Sequence, residues 1–111
     1  ESFYAVDYAA YVDGIRKLEQ HPSEIACVFP SLDNTARRKI PTVIQNTDPE
    51  RYSRWLEEEL RPIGPNTTAP PFVFINAWNE WAEGCHLEPD QSLGRQFLVA
   101  TRRATTAARQ A

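Results

Sequence analysis

Apolar residues after Asp7 recur three and four positions apart, which is the spacing of one face of an α-helix. They are Tyr8, Tyr11, Val12, Ile15 and Leu18. Asp7 is well suited to cap the first turn, because its carboxylate can accept a hydrogen bond from a free backbone amide. The pattern predicts an amphipathic helix that begins at Asp7 and ends at His21 and Pro22.

Two continuous apolar runs, 25–29 and 72–77, have a different pattern. Each is short and bounded by turn-forming residues, as is typical of buried parallel strands. A second amphipathic helix lies between them. Thr47 and Glu50 match a capping box, and Pro49 suits the first turn. The apolar stripe of this helix is Tyr52, Trp55, Leu56 and Leu60.

The last segment, from Gln91 onward, has helical periodicity. Its apolar side consists of Leu93, Phe97, Ala100, Ala104 and Ala108. The alternation of strands and helices predicts an α/β fold in which the 25–29 and 72–77 strands are adjacent and parallel. In such a fold, the loops after successive strands meet on one face, and functional side chains are expected there.

The segment after the second strand is rich in residues that can act on a sugar. It reads FINAWNEWAEG, 74–84, and places Glu80 and Glu83 three positions apart. Cleavage of a glycosidic bond needs one carboxyl group to protonate the leaving oxygen and a second to act as nucleophile or base. Asn79 can hydrogen-bond a hydroxyl group, and Trp78 and Trp81 offer flat apolar faces. The alternative is that these glutamates are only solvated surface charges.

The loop after the first strand carries a second polar cluster. Asp33, Asn34 and Arg37 are expected near the two glutamates and are candidates for substrate binding, although Asp-Asn-Thr is also suited to a turn or helix cap. Glu88 can either bind sugar or anchor its loop through Arg37 or a backbone amide.

Three segments resemble WbsX-type proteins: NAWNEWAEGCHLEPD, FPSLDNTARR and DPERYSRWLEEEL. WbsX-type proteins are described as glycosyltransferases of polysaccharide biosynthesis. They are similar to glycoside hydrolase family 99, endo-acting mannosidases on a (β/α)₈ barrel. The resemblance extends from about Asp7 to about Ala100 and implies an enzyme of polysaccharide or lipopolysaccharide O-antigen biosynthesis.

The resemblance also implies a fold and individual roles. A (β/α)₈ barrel needs about 250 residues, and this chain has 111. We therefore expect residues 1–111 to be a single partial domain, the C-terminal third of a TIM-barrel-like domain. Its strand edges should pair with the rest of the barrel or associate with one another. The matching glutamates imply that Glu80 assists the sugar 2-hydroxyl as internal nucleophile and that Glu83 is the general acid and then the base.

The composition of the chain argues against several kinds of partner and ligand. No apolar run approaches the about 20 residues of a membrane span, and the acidic net charge of −3 argues against nucleic acid. A cytoplasmic location is favoured, although a partial chain would have lost any N-terminal signal. Cys27 and Cys85 are expected to be buried free thiols, and the spacing of Glu83, Cys85, His86 and Glu88 matches no metal motif. We expect no metal and no cofactor.

Three functions are thus open. A retaining hydrolase or transglycosylase requires both glutamates to face one open cleft. A sugar-nucleotide-dependent glycosyltransferase requires a diphosphate site, for which Arg37 and Arg38 are candidates. A non-catalytic carbohydrate-binding protein predicts that one glutamate is held in a structural salt bridge.

Overall fold

The structure is a computed structural model that describes residues 2–68 and 70–110. Strands and helices alternate along most of the chain. In order, the elements are β1 (Tyr4–Asp7), α1 (Tyr8–Arg16), β2 (Cys27–Val28), β3 (Thr42–Gln45), α2 (Pro49–Leu60), β4 (Phe74–Ile75), β5 (Asn79–Glu80), a 3₁₀ turn (Trp81–Glu83), β6 (Cys85–His86) and α3 (Gln96–Gln110).

Two pairs of strands are parallel. β2 pairs with β4, with Cys27 opposite Phe74 and Val28 opposite Ile75. This confirms the prediction that the 25–29 and 72–77 runs form adjacent parallel strands, with α2 between them in sequence. β1 pairs with β3 over four residues, and the sequence patterns predicted neither of these two strands. β5 and β6 form a short antiparallel hairpin.

The predicted helix boundaries are partly confirmed. Asp7 caps α1, and its carboxylate accepts a hydrogen bond from the Ala10 amide at 3.0 Å. The helix ends at Arg16 rather than at His21, so Leu18 lies beyond its buried face and is exposed. α2 has Pro49 in its first turn, as predicted, but its cap is Asp48 instead of Thr47. The Asp48 carboxylate accepts a hydrogen bond from the Glu50 amide at 3.0 Å. This bond gives a partner to one of the first-turn amides, which have no acceptor within the helix.

The third helix begins later than its pattern predicted. Residues 91–95 form a turn, because Asp90 accepts the Leu93 amide through its carboxylate at 2.7 Å and the Gly94 amide through its carbonyl at 2.9 Å. From Gln96 onward the predicted helix is confirmed, and Phe97, Ala100 and Ala104 are buried.

The core lies where the three helices pack on the strands. Tyr8, Phe29 and Trp55 meet edge to face, with ring centroids 5.4–6.2 Å apart. α2 and α3 pack closely, since the small side chain of Ala100 lets the Ser53 hydroxyl donate to the Ala100 carbonyl at 3.1 Å. This layer holds the strands, and therefore the loops at their carboxyl ends, in fixed positions.

The 72–77 run differs from its prediction in burial. We expected a buried strand, but Phe72 is exposed and Phe74 is 57% exposed. Within residues 2–68 and 70–110, β4 pairs on one side only, with β2, so its other edge and part of its face remain open. None of the helices in the described ranges is long and apolar enough to cross a membrane.

Candidate active site

The loops after β2 and β4 are in direct contact. The Asp33 amide donates to the Glu83 carbonyl at 2.8 Å, and the Ser31 hydroxyl donates to the Gly84 carbonyl at 2.6 Å. Gly84 has a φ of +56°, and a Cβ there would lie 3.1 Å from the Asp33 Cβ and amide nitrogen. A glycine is therefore needed for both the left-handed turn and the close approach. The expected proximity of Asp33 to the glutamates is present.

Glu80 and Glu83 are brought together by a tight hairpin. Glu80 ends β5, and a 3₁₀ turn leads through Glu83 to Gly84, where the chain reverses into β6. The amide of Gly84 closes this turn by donating to the Trp81 carbonyl at 3.0 Å. A spacing of three residues across one turn thus directs both carboxylates towards the same neighbouring loop.

Arg37 joins that loop to both glutamates. Its Nη2 lies 3.0 Å from Glu80 Oε1, and its Nη1 lies 3.7 Å from Glu83 Oε1. One guanidinium group therefore contacts both carboxylates. The side chains of both glutamates are about one third exposed, and that of Arg37 is about half exposed.

Asp33 and Asn34 have structural partners. The Asp33 carboxylate accepts hydrogen bonds from the Thr35 hydroxyl and amide, and these bonds lower the pKa of Asp33. Asn34 Oδ1 accepts the Thr42 amide at 2.7 Å, which ties the loop to β3. Both contacts support the turn-forming role that the sequence left open. The role of these residues in substrate binding stays a prediction.

The two tryptophans beside the glutamates are exposed, with Trp78 at 54% and Trp81 at 49%. The Trp81 indole Nε1 donates to Glu88 Oε1 at 3.1 Å. Glu88 was expected to bind sugar or to reach Arg37 or a backbone amide, and the structure shows a fourth partner. This contact is not visible in the sequence, because it depends on how the hairpin folds back on itself. Asn79 lies in β5 opposite His86.

His86 and Asp90 were also missed as a pair. His86 Nε2 lies 3.0 Å from Asp90 Oδ2, and the imidazole stacks on Trp81 with ring centroids 3.7 Å apart. From the sequence alone, a metal ligand was the one role open to His86, and its spacing did not support that role. No three His, Cys, Asp or Glu side chains within 2–68 and 70–110 are arranged to hold a metal ion. The spacing of four residues between His86 and Asp90 was the available signal.

The two cysteines differ. Cys85 is buried, and its thiol donates to the Asn76 carbonyl at 2.6 Å. Burial raises the pKa of Cys85 to about 11, so it stays a thiol at neutral pH. Cys27 is exposed, and the expectation that it is buried was wrong. It lies in a strand of two residues whose side chains point to opposite faces, and Val28 takes the buried face.

A cavity of about 820 Å³ opens beside the loop that carries Arg37. Thr35, Arg38 and Lys39 contribute polar groups to it, and Phe3 and Ile40 are among its apolar residues. Among the described residues, neither Arg38 nor Lys39 forms an ion pair. Glu80 and Glu83 do not line this cavity.

A family model described as glycosyltransferase WbsX matches residues 2–101. The chain belongs to the WbsX family. The match includes both contacting loops, both glutamates and all the candidate binding residues described above, which confirms the resemblance seen in the sequence.

Two relatives come from Xanthomonas campestris pv. campestris, strains B100 and ATCC 33913, and both carry the description "uncharacterized protein WxcX". Each is 41% identical to this WbsX-family chain over 99 residues, which cover 84% of the chain and 14% of the relative. The chain therefore spans a small part of the length of these relatives. No solved structure matches it.

Proposed function

We propose that this WbsX-family chain carries the two catalytic carboxylates of an enzyme that makes or breaks glycosidic bonds in polysaccharide or O-antigen biosynthesis. We further propose that the chain is the C-terminal part of a (β/α)₈ barrel-like domain, consistent with its parallel strand pairs. The main observation is the contact of one guanidinium, that of Arg37, with both Glu80 and Glu83. Both carboxylates lie in the hairpin after β4, and Arg37 reaches them from the loop after β2, its parallel neighbour. Glycosidic chemistry needs such a pair of carboxyl groups, and the loops after adjacent parallel strands are where a site is expected.

The proposed roles follow the resemblance and the local geometry. Glu83 gives a proton to the leaving oxygen as the bond from that oxygen to the sugar carbon breaks, and later accepts a proton from the incoming hydroxyl. Glu80 takes the proton of the sugar 2-hydroxyl as that oxygen bonds to the carbon that the leaving oxygen departs from, and returns the proton when the incoming hydroxyl displaces the 2-oxygen from that carbon. Arg37 contacts Glu83 less closely than Glu80, at 3.7 Å against 3.0 Å. The looser contact leaves Glu83 freer to reach the leaving oxygen.

The ion pairs also bear on the non-catalytic alternative. A carbohydrate-binding protein would hold a glutamate in a structural salt bridge, and both glutamates here contact Arg37. However, the Arg37 side chain is 52% exposed, and exposed ion pairs contribute only about 0–1 kcal/mol. A substrate can therefore displace Arg37 at little cost. The partial exposure of the glutamates and the adjacent exposed tryptophans favour the catalytic function.

A sugar-nucleotide-dependent transferase is the second candidate. Arg38 and Lys39 form no ion pair within the described ranges and line the same cavity. Unpaired cations next to a cavity suit the phosphates of a nucleotide sugar. The description of the family as glycosyltransferases supports this candidate as well.

The roles can be separated with Glu83→Gln and Glu80→Gln in the full-length protein. Each should lower turnover of an aryl manno-oligosaccharide with a poor leaving group by about 10²–10⁴-fold, the range for one general acid or base. A dinitrophenyl leaving group needs no proton, so it should largely rescue bond cleavage by Glu83→Gln but not by Glu80→Gln. The control is Glu50→Gln, because Glu50 also pairs with an exposed arginine, Arg103, outside the site.

Two outcomes would contradict this assignment. If both variants respond alike to the activated substrate, the glutamates do not have separate roles. If neither variant loses activity, the catalytic proposal fails and carbohydrate binding without catalysis gains support.

A further inference from the structure

The Trp81 indole is held at two points by its surroundings. Its Nε1 donates to Glu88 Oε1 at 3.1 Å, which limits rotation of the ring within its plane. One face is covered by the His86 imidazole, with centroids 3.7 Å apart and an angle of 16° between the planes. Trp81 is still 49% exposed, so part of its ring surface remains accessible. Trp81 also follows Glu80 directly in sequence.

The imidazole that covers Trp81 is itself fixed. His86 Nε2 meets Asp90 Oδ2 at 3.0 Å, and Asp90 Oδ1 accepts the Leu93 amide at 2.7 Å. These bonds, first that of the Leu93 amide and then that of His86, lower the pKa of Asp90, which keeps it a charged acceptor. A carboxylate can only accept, so His86 carries its hydrogen on Nε2 when neutral. His86 Nδ1 is buried and has no partner among the described residues.

The hydrogen bonds of this network that are described for Trp81, His86 and Asp90 side chains join other partners than Glu80 and Glu83. The turn at Leu93 fixes Asp90, Asp90 fixes His86, and His86 fixes the plane of Trp81. Aromatic side chains in sugar sites offer an apolar face to the C–H groups of the ring, and a fixed ring loses less conformational entropy on binding. These contacts thus hold the Trp81 ring in one orientation, as a sugar-binding aromatic surface requires.

We propose that His86 and Asp90 are positioning residues that hold Trp81 as a one-sided platform for a pyranose ring beside Glu80. The inference rests on the proposed function for the identity of the ligand. It adds that the sugar stacks on the face opposite His86 and that this support acts on binding rather than on bond cleavage. A sugar with a continuous C–H face, such as a manno- or glucopyranose, suits such a platform.

The first test needs no turnover. In the ¹⁵N-labelled full-length protein, NMR measures the solvent exchange of the Trp81 indole N–H. His86→Ala should speed this exchange by about three- to tenfold, the range that one hydrogen bond is worth, because the indole loses its stacking partner and swings away from Glu88. His86→Phe keeps an aromatic face and should exchange nearly as slowly as the unchanged protein. His21→Ala, at the other histidine, which is exposed, is the control.

The second test separates binding from chemistry with the same variants and the activated aryl substrate. His86→Ala should raise KM roughly two- to tenfold, as expected for one aromatic contact, with kcat nearly unchanged, and His86→Phe should restore KM. Unchanged indole exchange in His86→Ala, or a fall in kcat at unchanged KM, would overturn the inference. Full activity of Glu83→Gln would instead refute the proposed function, and the exchange measurement would still decide how Trp81 is held.

Discussion

The helical layer and the hairpin with the two glutamates use the same residue types in opposite ways. Trp55, in α2, is 2% exposed and packs against Tyr8 and Phe29. Trp78 and Trp81, on either side of Glu80, are about half exposed. In the first region, aromatic surface is removed from water when the chain folds. In the second region, aromatic surface stays exposed to solvent and is available to a ligand.

The ion pairs of the two regions also differ in how many partners they have. In the helical layer the described ion pairs each join one arginine to one glutamate, as Arg16 to Glu58. At the hairpin, one arginine contacts two glutamates and leaves all three partly open. Crowding two like charges at one exposed place adds little stability. The comparison indicates that the helical layer provides most of the stability, whereas the hairpin keeps its charged and aromatic side chains accessible.

The largest effect should come from matched tryptophan replacements. Trp55→Ala removes a buried ring and should lower the free energy of unfolding by about 3–5 kcal/mol. Trp78→Ala should lower it by less than about 1 kcal/mol, since the backbone carbonyl of Trp78, which accepts the Leu87 and Glu88 amides, is retained. Denaturant unfolding of both variants measures this. Equal losses would show that the hairpin is part of the core.

A smaller effect is expected where the two loops touch. Gly84→Ala forces a side chain into the left-handed region and towards Asp33, and should cost about 1–3 kcal/mol. Gly94 has the same φ of +56° but nothing within 4 Å of the added Cβ, so Gly94→Ala should show only the conformational cost of about 1 kcal/mol. The difference in unfolding free energy between Gly84→Ala and Gly94→Ala therefore measures the cost of the steric contact with Asp33. No difference would mean that the loops can separate freely.

The smallest effect should be that of Asp33→Asn. Hydrogen bonds from Thr35 lower the folded pKa of Asp33, so its stabilisation is complete above the unfolded pKa of about 3.9 and is lost as pH falls through the folded value. Because Asp33 is largely exposed to solvent, we expect less than about 1 kcal/mol at pH 7. The deficit in unfolding free energy should vanish near pH 2. Asp13→Asn, on an exposed part of α1, is the control, and a deficit that persists at pH 2 would contradict this account.

The features predictable from sequence were mostly local or repeated. The Asp7 cap depends on residues three apart, and the β2–β4 pair follows from two apolar runs separated by a helix. The meeting of the Asp33 loop with the glutamates follows from the same parallel order. These features need only periodicity and the rule that carboxyl ends of parallel strands share a face.

The features that were missed depend on tertiary contacts. β3 is a four-residue strand that forms by pairing with β1, some forty residues away, and neither has a strong pattern of its own. The exposure of Phe74 contradicts its apolar sequence, since burial depends on which elements cover a strand. The stacking of His86 on Trp81 arises because β6 folds back beside β5.

If Glu80 and Glu83 serve chemistry rather than stability, as we propose, one paired measurement shows it directly. The free energy of unfolding and the turnover rate are measured for Glu80→Gln and Glu83→Gln in the full-length protein. We expect unfolding to change by less than about 1 kcal/mol, as for exposed ion pairs, while turnover falls about 10²–10⁴-fold. A loss of several kcal/mol in stability with turnover retained would contradict the proposal. It would show that the ion pairs of Arg37 with Glu80 and Glu83 are structural salt bridges.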